Sequence, residues 1–286
     1  MKKSYIKFAF MLTALCIVVT PVFAQYEKKE KAAKQKHKHS FCSSNNWSNG
    51  NRVSAQALRE TTISTGDVNV DSKNGRITVI GEDRGDVLVR ACVRSWAETE
   101  AEAKSIVESI QVETSSTITA DIPEKSNTSV SFEIRVPNAT NLDLSAGNGR
   151  IGISDVTGQI RFKTSNGRVT LSRLGGDVEG KTTNGRVTVI LDGGYWQGNG
   201  MNVRTNNGRV SLYMLSSYAA NVEVGTNNGR FSSSFDALQV PLDENGKKRR
   251  SGPNKVNASL NGGGAPIRIA TGNGRVSIHS LETKAQ

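Results

Sequence analysis

Six arginines stand at one phase of a repeat: Arg150, Arg168, Arg186, Arg209, Arg230 and Arg275 each close an Asn-Gly-Arg tripeptide. A guanidinium is a planar fork of donors that grips a carboxylate or phosphate through two parallel hydrogen bonds. If the repeats stack in register, these charges line one edge about 4.8 Å apart, where neighbours repel by roughly 1 kcal/mol per pair in water. No acidic residue recurs within the repeat to neutralise them. A bound polyanion would reverse the sign of that term. The chemistry on offer is linear binding of an acidic polymer, such as a uronic-acid polysaccharide or a phosphorylated glycan. The competing reading is that duplication copied a solvated arginine that only blunts a sheet edge.

A second set is aromatic. Tyr195, Trp196, Tyr213 and Tyr218, with Phe235, fall in or beside the variable turns between repeats. Insertions in repeat proteins gather on one side, often the binding side, and an exposed ring there would stack on a sugar face. Alternatively the rings fold back to cover an open flank. Catalytic patterns are weaker. Asp155, Asp177 and Asp192 fall at different phases of the repeat, and His279 is the only histidine of the body. No zinc-ligand spacing, Walker-type loop or nucleophile elbow is present, and Gly262-Gly263-Gly264 reads as a turn. His37 and His39 offer a metal only two ligands. No catalytic residue, metal ligand or cofactor is therefore assigned, and a polysaccharide-active enzyme ranks below a binding protein.

The elements that must position these residues follow from the repeat. Asn-Gly-Arg starts at Asn74, Asn148, Asn166, Asn184, Asn207, Asn228 and Asn273, with steps of 18, 18, 23, 21 and 45 residues from Asn148 onward. Each copy runs into an apolar-small-apolar triplet such as Val169-Thr170-Leu171, the period of a half-buried strand. Thr164, Thr182, Thr205, Thr226 and Thr271 sit two residues before the asparagine, after a second alternating run. Asn and Gly both tolerate positive φ and make a tight corner. The expected fold is all-β: a parallel β-solenoid of roughly 18–23-residue coils with Asn over Asn and Thr over Thr. An antiparallel β-meander of Asn-Gly hairpins is the alternative. One helix is expected at about residues 96–110, started by Ser95 and Glu98 as a capping box, with Ala103, Ile106, Val107 and Ile110 as its apolar stripe. It would cap or flank the array.

Composition places the chain. Residues 1–24 have the Lys2-Lys3-Lys7 start, apolar stretch and Val22-Phe23-Ala24 ending of a signal peptide. Export leaves Cys42 and Cys92, an even pair that suggests a disulfide in an oxidising compartment. The formal net charge is +11. Much of it falls in the signal peptide and in residues 25–40, which read as a Lys-rich flexible tether. A Lys247-Lys248-Arg249-Arg250 cluster adds a local basic patch. Nucleic acid is not an expected partner of an exported chain. No segment of the mature chain is long and apolar enough to span a membrane.

The strand Asp86-Val87-Leu88-Val89-Arg90-Ala91-Cys92-Val93 before a Glu/Ala-rich helix, and Val136-Pro137 leading into Leu142-Asp143-Leu144, complete a wider pattern. Together with the export signal and the recurrent Asn-Gly turns, they resemble the bacterial exported β-strand-repeat family of proposed adhesins, over roughly residues 60–282. The resemblance implies a β-solenoid-like domain on an envelope or exported protein, and no catalytic residues. The uniform arginine is a feature of this chain. The domain reading is a signal peptide (1–24), a tether (25–40), N-terminal strands with the helix (41–140), the regular repeat array (141–282) and a tail (283–286). The functional expectation is an exported, non-catalytic adhesin or envelope-polymer-binding module, in a periplasm, on a cell surface or secreted. Its expected partner is an acidic polysaccharide, an envelope glycan or an envelope protein. A structural spacer or sensor domain of the envelope is the alternative.

Overall fold

A computed structural model describes residues 41–42, 52–123, 127–241 and 252–281. The expectations for the signal peptide, the tether, His37 and His39, the Lys247–Arg250 cluster and the tail lie outside the described residues. The chain has two units, Met1–Ser43 and Ser44–Gln286. In the first, Phe41 and Cys42 form a turn. Cys42 and Cys92 are disulfide-bonded, as the even pair implied.

The second unit is built of strands and one helix among the described residues. It opens with β1 (Val53–Ile63), β2 (Val68–Asn74), β3 (Ile77–Glu82) and β4 (Val87–Ala97). Helix α1 (Glu100–Ser109), a short hairpin of β5 (Val112–Glu113) and β6 (Thr119–Ala120), and β7 (Thr128–Pro137) follow. Strands then come in pairs joined at Asn-Gly corners. These are β8 (Leu142–Asn148) with β9 (Ile151–Ser154), β10 (Thr157–Asn166) with β11 (Val169–Ser172), and β12 (Gly175–Asn184) with β13 (Val187–Leu191). Next are β14 (Gly200–Asn207) with β15 (Val210–Met214), and β16 (Ala220–Asn228) with β17 (Phe231–Ser233). A 3-10 turn (Asp236–Leu238), β18 (Asn254–Leu260) and the last pair, β19 (Pro266–Asn273) with β20 (Val276–Ser280), end the described chain.

Every corner passes the chain from one sheet to the other. The seven strands before the corners, with β18 at one edge, form an eight-stranded sheet, ordered β18-β16-β19-β14-β12-β10-β8-β2. Those after them form most of a ten-stranded sheet, ordered β1-β4-β7-β3-β9-β11-β13-β15-β20-β17. Neighbouring repeat strands are parallel, with Thr164 beside Thr182 and Asn166 beside Asn184. The hairpin alternative does not describe the repeats. The antiparallel pairs among the described residues lie at the sheet ends, β1 on β4, β4 on β7 and β18 on β16, and in β5–β6, a separate two-stranded hairpin. The inward residues of both sheets, among them Ile160, Val178 and Val203 facing Leu171, Val189 and Leu212, form one buried core. Phe162 is accommodated because its strand neighbour is Gly180, where a Cβ would meet the ring at 2.0 Å.

The corner side chains form the expected ladder. Asn148 Nδ2 donates to Asn74 Oδ1 at 3.2 Å, and Asn166 to Asn148 at 2.9 Å. The series continues from Asn184 to Asn166, Asn207 to Asn184 and Asn273 to Asn207, each at 3.0 Å. Asn184→Ala removes one bond given and one received on an exposed edge, so it is expected to cost about 1–2 kcal/mol in urea denaturation. A loss below roughly 0.5 kcal/mol would mean that water replaces the ladder fully.

Three features differ from what the sequence suggests. The Gly-Gly pair at 175–176 suggests a turn, yet it opens β12, Gly176 with φ 87°. The helix starts later than expected. Ser95 is a buried residue of β4 that accepts a hydrogen bond from the Thr128 hydroxyl at 3.0 Å. The N-cap is Thr99, whose Oγ1 accepts from Glu102 N at 3.2 Å. Both Ser95-x-x-Glu98 and Thr99-x-x-Glu102 fit the capping pattern, and the inward period of β4 claims the first. The third change is the order of the stack. The last strand pair does not sit at the end: β19 lies between β14 and β16, and β20 between β15 and β17.

Candidate functional site

The repeat register fixes the position of each arginine. Ile77 N donates to Arg150 O, Ile151 N to Arg168 O, Val169 N to Arg186 O and Val187 N to Arg209 O, at 2.8–3.0 Å. Val210 N then donates to Arg275 O and Val276 N to Arg230 O, at 2.9 and 2.8 Å. All six candidate arginines therefore stand in one column, each one strand from the next, with Arg275 between Arg209 and Arg230. Arg76 extends it to seven, since the coil of β2 and β3 lies directly against that of β8 and β9. All seven are exposed. None of them forms an ion pair among the described residues. Sequence reasoning left Arg76 out because Asn74 stands far from the contiguous copies, although its tripeptide is intact.

Beside the column runs a row of small residues on the outer face of the ten-stranded sheet. Gly152, Thr170, Thr188, Ser211, Ser277 and Ser232 are paired in register. Each lies two residues after its arginine, so guanidinium and hydroxyl share a face. Thr170 and Thr188 are half-buried and carry their hydroxyls on that face, whereas Ser211 and Ser277 are buried and Ser232 Oγ donates to Ser277 Oγ at 3.3 Å.

A second cationic row lies on the other sheet. Lys163, Lys181 and Arg204 are aligned across β10, β12 and β14. They line a depression of about 610 Å3 together with Asp143, Arg161, Glu179 and Asn202. The sequence signal was a cation three residues before the corner asparagine, present in only three of the seven copies. This face mixes signs, unlike the arginine edge.

The four candidate rings separate. Trp196 is buried, and its indole Nε1 donates to Gly176 O at 3.0 Å. Tyr218 is buried too, and burial together with the nearby Asp192 charge pushes its phenol up to about 12. These two rings pack rather than present a face, which corrects their reading as platforms. Tyr213 is half-buried and stacks on His279, with centroids 4.7 Å apart and planes at 18°. Tyr195 alone is open, at 63% exposure. It borders a hollow of about 410 Å3 lined also by Arg173, Asp192, Gln197 and Tyr218.

Asp155 and Asp192, which the sequence placed out of phase, meet through Arg173. Arg173 Nε and Nη2 bond the two oxygens of Asp155 at 2.5 and 2.8 Å. Arg173 Nη1 reaches Asp192 Oδ2 at 3.4 Å. The Arg173 hydrogen bonds hold the Asp155 carboxyl below the usual carboxylate range. Asp155 and Arg173 have φ of 62° and 50°, a conformation rare for non-glycine residues and one that no periodicity announces. Among the described residues, no three His, Cys, Asp or Glu side chains gather in a metal-binding group. No helix there is long and apolar enough to cross a membrane.

No family model matches the chain, and no curated protein matches it. Solved structures do. A proposed cell adhesion protein from Clostridium sporogenes is 12% identical, over 79% of this chain and 100% of its own, with a TM-score of 0.44. A proposed adhesin from Bacteroides fragilis is 10% identical, over 79% and 97%, with a TM-score of 0.37. Another from Parabacteroides distasonis is 9% identical over the same shares, with a TM-score of 0.27. These names carry the adhesin label that the sequence resemblance anticipated.

Proposed function

We propose that this chain is an exported, non-catalytic, solenoid-like module whose arginine column binds an acidic polymer of the envelope or of a surface it adheres to. The observation that carries the reading is the register of Arg76, Arg150, Arg168, Arg186, Arg209, Arg275 and Arg230, exposed and without carboxylate partners among the described residues. Like charges at strand spacing are unfavourable without a counter-charge, and a linear anion supplies one at every step. The half-buried Thr170 and Thr188 beside the column add neutral donors suited to carboxylate or phosphate oxygens. Export is supported by the signal-peptide pattern and by the Cys42–Cys92 disulfide, since such bonds persist in oxidising compartments.

The test is binding of the full chain to polygalacturonate, with dextran as the neutral control, across a salt series. Binding is expected to weaken steeply with salt. The variant Arg168→Gln, Arg186→Gln, Arg209→Gln removes three adjacent charge-assisted contacts, each worth on the order of 1 kcal/mol, so affinity falls roughly 100-fold. Lys163→Gln with Lys181→Gln, on the other sheet, leaves it within about threefold. Equal affinity in wild type and the arginine variant would sink the column as a site. Absence of binding to either polymer would favour a structural spacer or sensor of the envelope.

A further inference from the structure

The hollow beside Tyr195 is a different kind of site from the arginine edge. It lies at the link between β13 and β14, and this link is tied down at several points. The Trp196 indole is buried and bonded to Gly176 O, and Asn199 N donates to the same carbonyl at 2.9 Å. Gly176 N in turn donates to Gln197 O at 2.6 Å, and Ala219 N to Gly194 O at 2.8 Å. Tyr195 itself bridges to Ala219 in parallel fashion. A ring left 63% exposed between such anchors is held out by its neighbours.

The polar groups around it are planar and partly committed. Arg173 is spent on Asp155 and on one oxygen of Asp192. Asp192 is left with an acceptor to offer, and the exposed Gln197 side chain has both a donor and an acceptor. Two carboxylates against one guanidinium disfavour an anion, so the polymer proposed for the arginine column does not suit this hollow. A volume of about 410 Å3 falls at the small end of the range for ligand sites. An apolar ring face beside planar acceptors and an amide matches a pyranose, which shows C–H groups on one face and hydroxyls around its rim.

We infer that this hollow binds a neutral hexopyranose unit of a glycan, stacked on Tyr195 with its hydroxyls bonded to Asp192 and Gln197. The site is independent of the arginine column. The experiment is saturation-transfer NMR on the full chain with the methyl glycosides of glucose, galactose, mannose and N-acetylglucosamine, each at about 10 mM, a concentration suited to millimolar affinity. At least one is expected to receive saturation, with an affinity unchanged between about 0.05 and 0.5 M salt because no net charge is neutralised. Tyr195→Ala is expected to weaken it by roughly tenfold or more, as loss of a central aromatic contact does. Gln197→Ala should weaken it less, while Arg168→Gln with Arg186→Gln leaves it unchanged. The substituted side chains are exposed, so a retained melting temperature certifies each fold. Failure of all four sugars to receive saturation overturns the inference, as does transfer that persists undiminished in Tyr195→Ala. Neither result bears on binding at the arginine edge.

Discussion

Gly185→Ala is expected to destabilise the protein by about 3–5 kcal/mol and to lower its melting temperature by on the order of 10 °C. The cause is the distance between successive corners. A Cβ at Gly185 would stand 1.7 Å from Gly167 O, a backbone atom of the next coil that no rotamer change can move. The same clash recurs at each contiguous corner, from Gly149 against Gly75 O at 1.7 Å to Gly208 against Gly185 O at 1.6 Å. To admit one methyl group, two coils must part, and the parting strains the asparagine ladder and the backbone bonds from Gly167 N to Asn184 O and from Gly185 N to Asn207 O. A matched control separates this from a general intolerance of substitution. Gly152 has nothing within 4 Å of its missing Cβ and stands in the row where other coils carry Thr or Ser. Gly152→Thr is therefore expected to be neutral, or stabilising by a few tenths of a kcal/mol, since Thr suits a half-buried strand. Chemical denaturation of both variants decides it. A cost below about 1 kcal/mol at Gly185 would mean that the corners are looser than their carbonyl distances imply.

That contrast shows how much of the molecule could be read in advance. The tripeptide announced the corners, the alternating residues on either side announced the strands, and the constant phase announced the columns of Asn, Thr and Arg. The reason for glycine was read only in part. Asn-Gly suggests positive φ at a tight turn, and Gly75, Gly208 and Gly274 have it, at 151°, 159° and 152°, while the corner asparagines and the other corner glycines are not among the residues with positive φ. What all the corners share is the close approach of the neighbouring backbone, a property of the stack that no single turn contains. The aromatic residues were misread for a related reason. Trp196 and Tyr195 are adjacent in the chain, yet one is plugged beneath Gly176 and the other stands in solvent, and composition cannot divide them. The arginine edge was legible because it depends only on phase. The hollow beside Tyr195 was not, because Asp155, Arg173 and Asp192 meet only once three coils are stacked.

The order of the coils carries the second large prediction. Removing the last strand pair by ending the chain after Asn261 is expected to abolish cooperative folding of everything beyond β15. In a strictly sequential stack such a cut would trim one terminal coil and expose one new face. Here β19 and β20 are interior: Ile267, Ile269, Val276 and Ile278 are buried between the coils of Asn207 and Asn228. At roughly 1.5–3 kcal/mol for each buried aliphatic side chain, their loss withdraws about 6–12 kcal/mol of burial. That is comparable with the whole stability of a typical domain. The step of 45 residues between Asn228 and Asn273 follows from the same arrangement. After β17 the chain returns along the outside as antiparallel β18 and then enters the gap with β19. The gap between β14 and β16 is thus filled only when β19 and β20 have been made, and β16 to β18 wait for them. Amide exchange on the truncated chain should show protection through β15 and none from β16 onward. A truncated chain that melts within about 2 °C of the full one, with β16 paired directly to β14, would show that the gap can close and that the swapped order is dispensable.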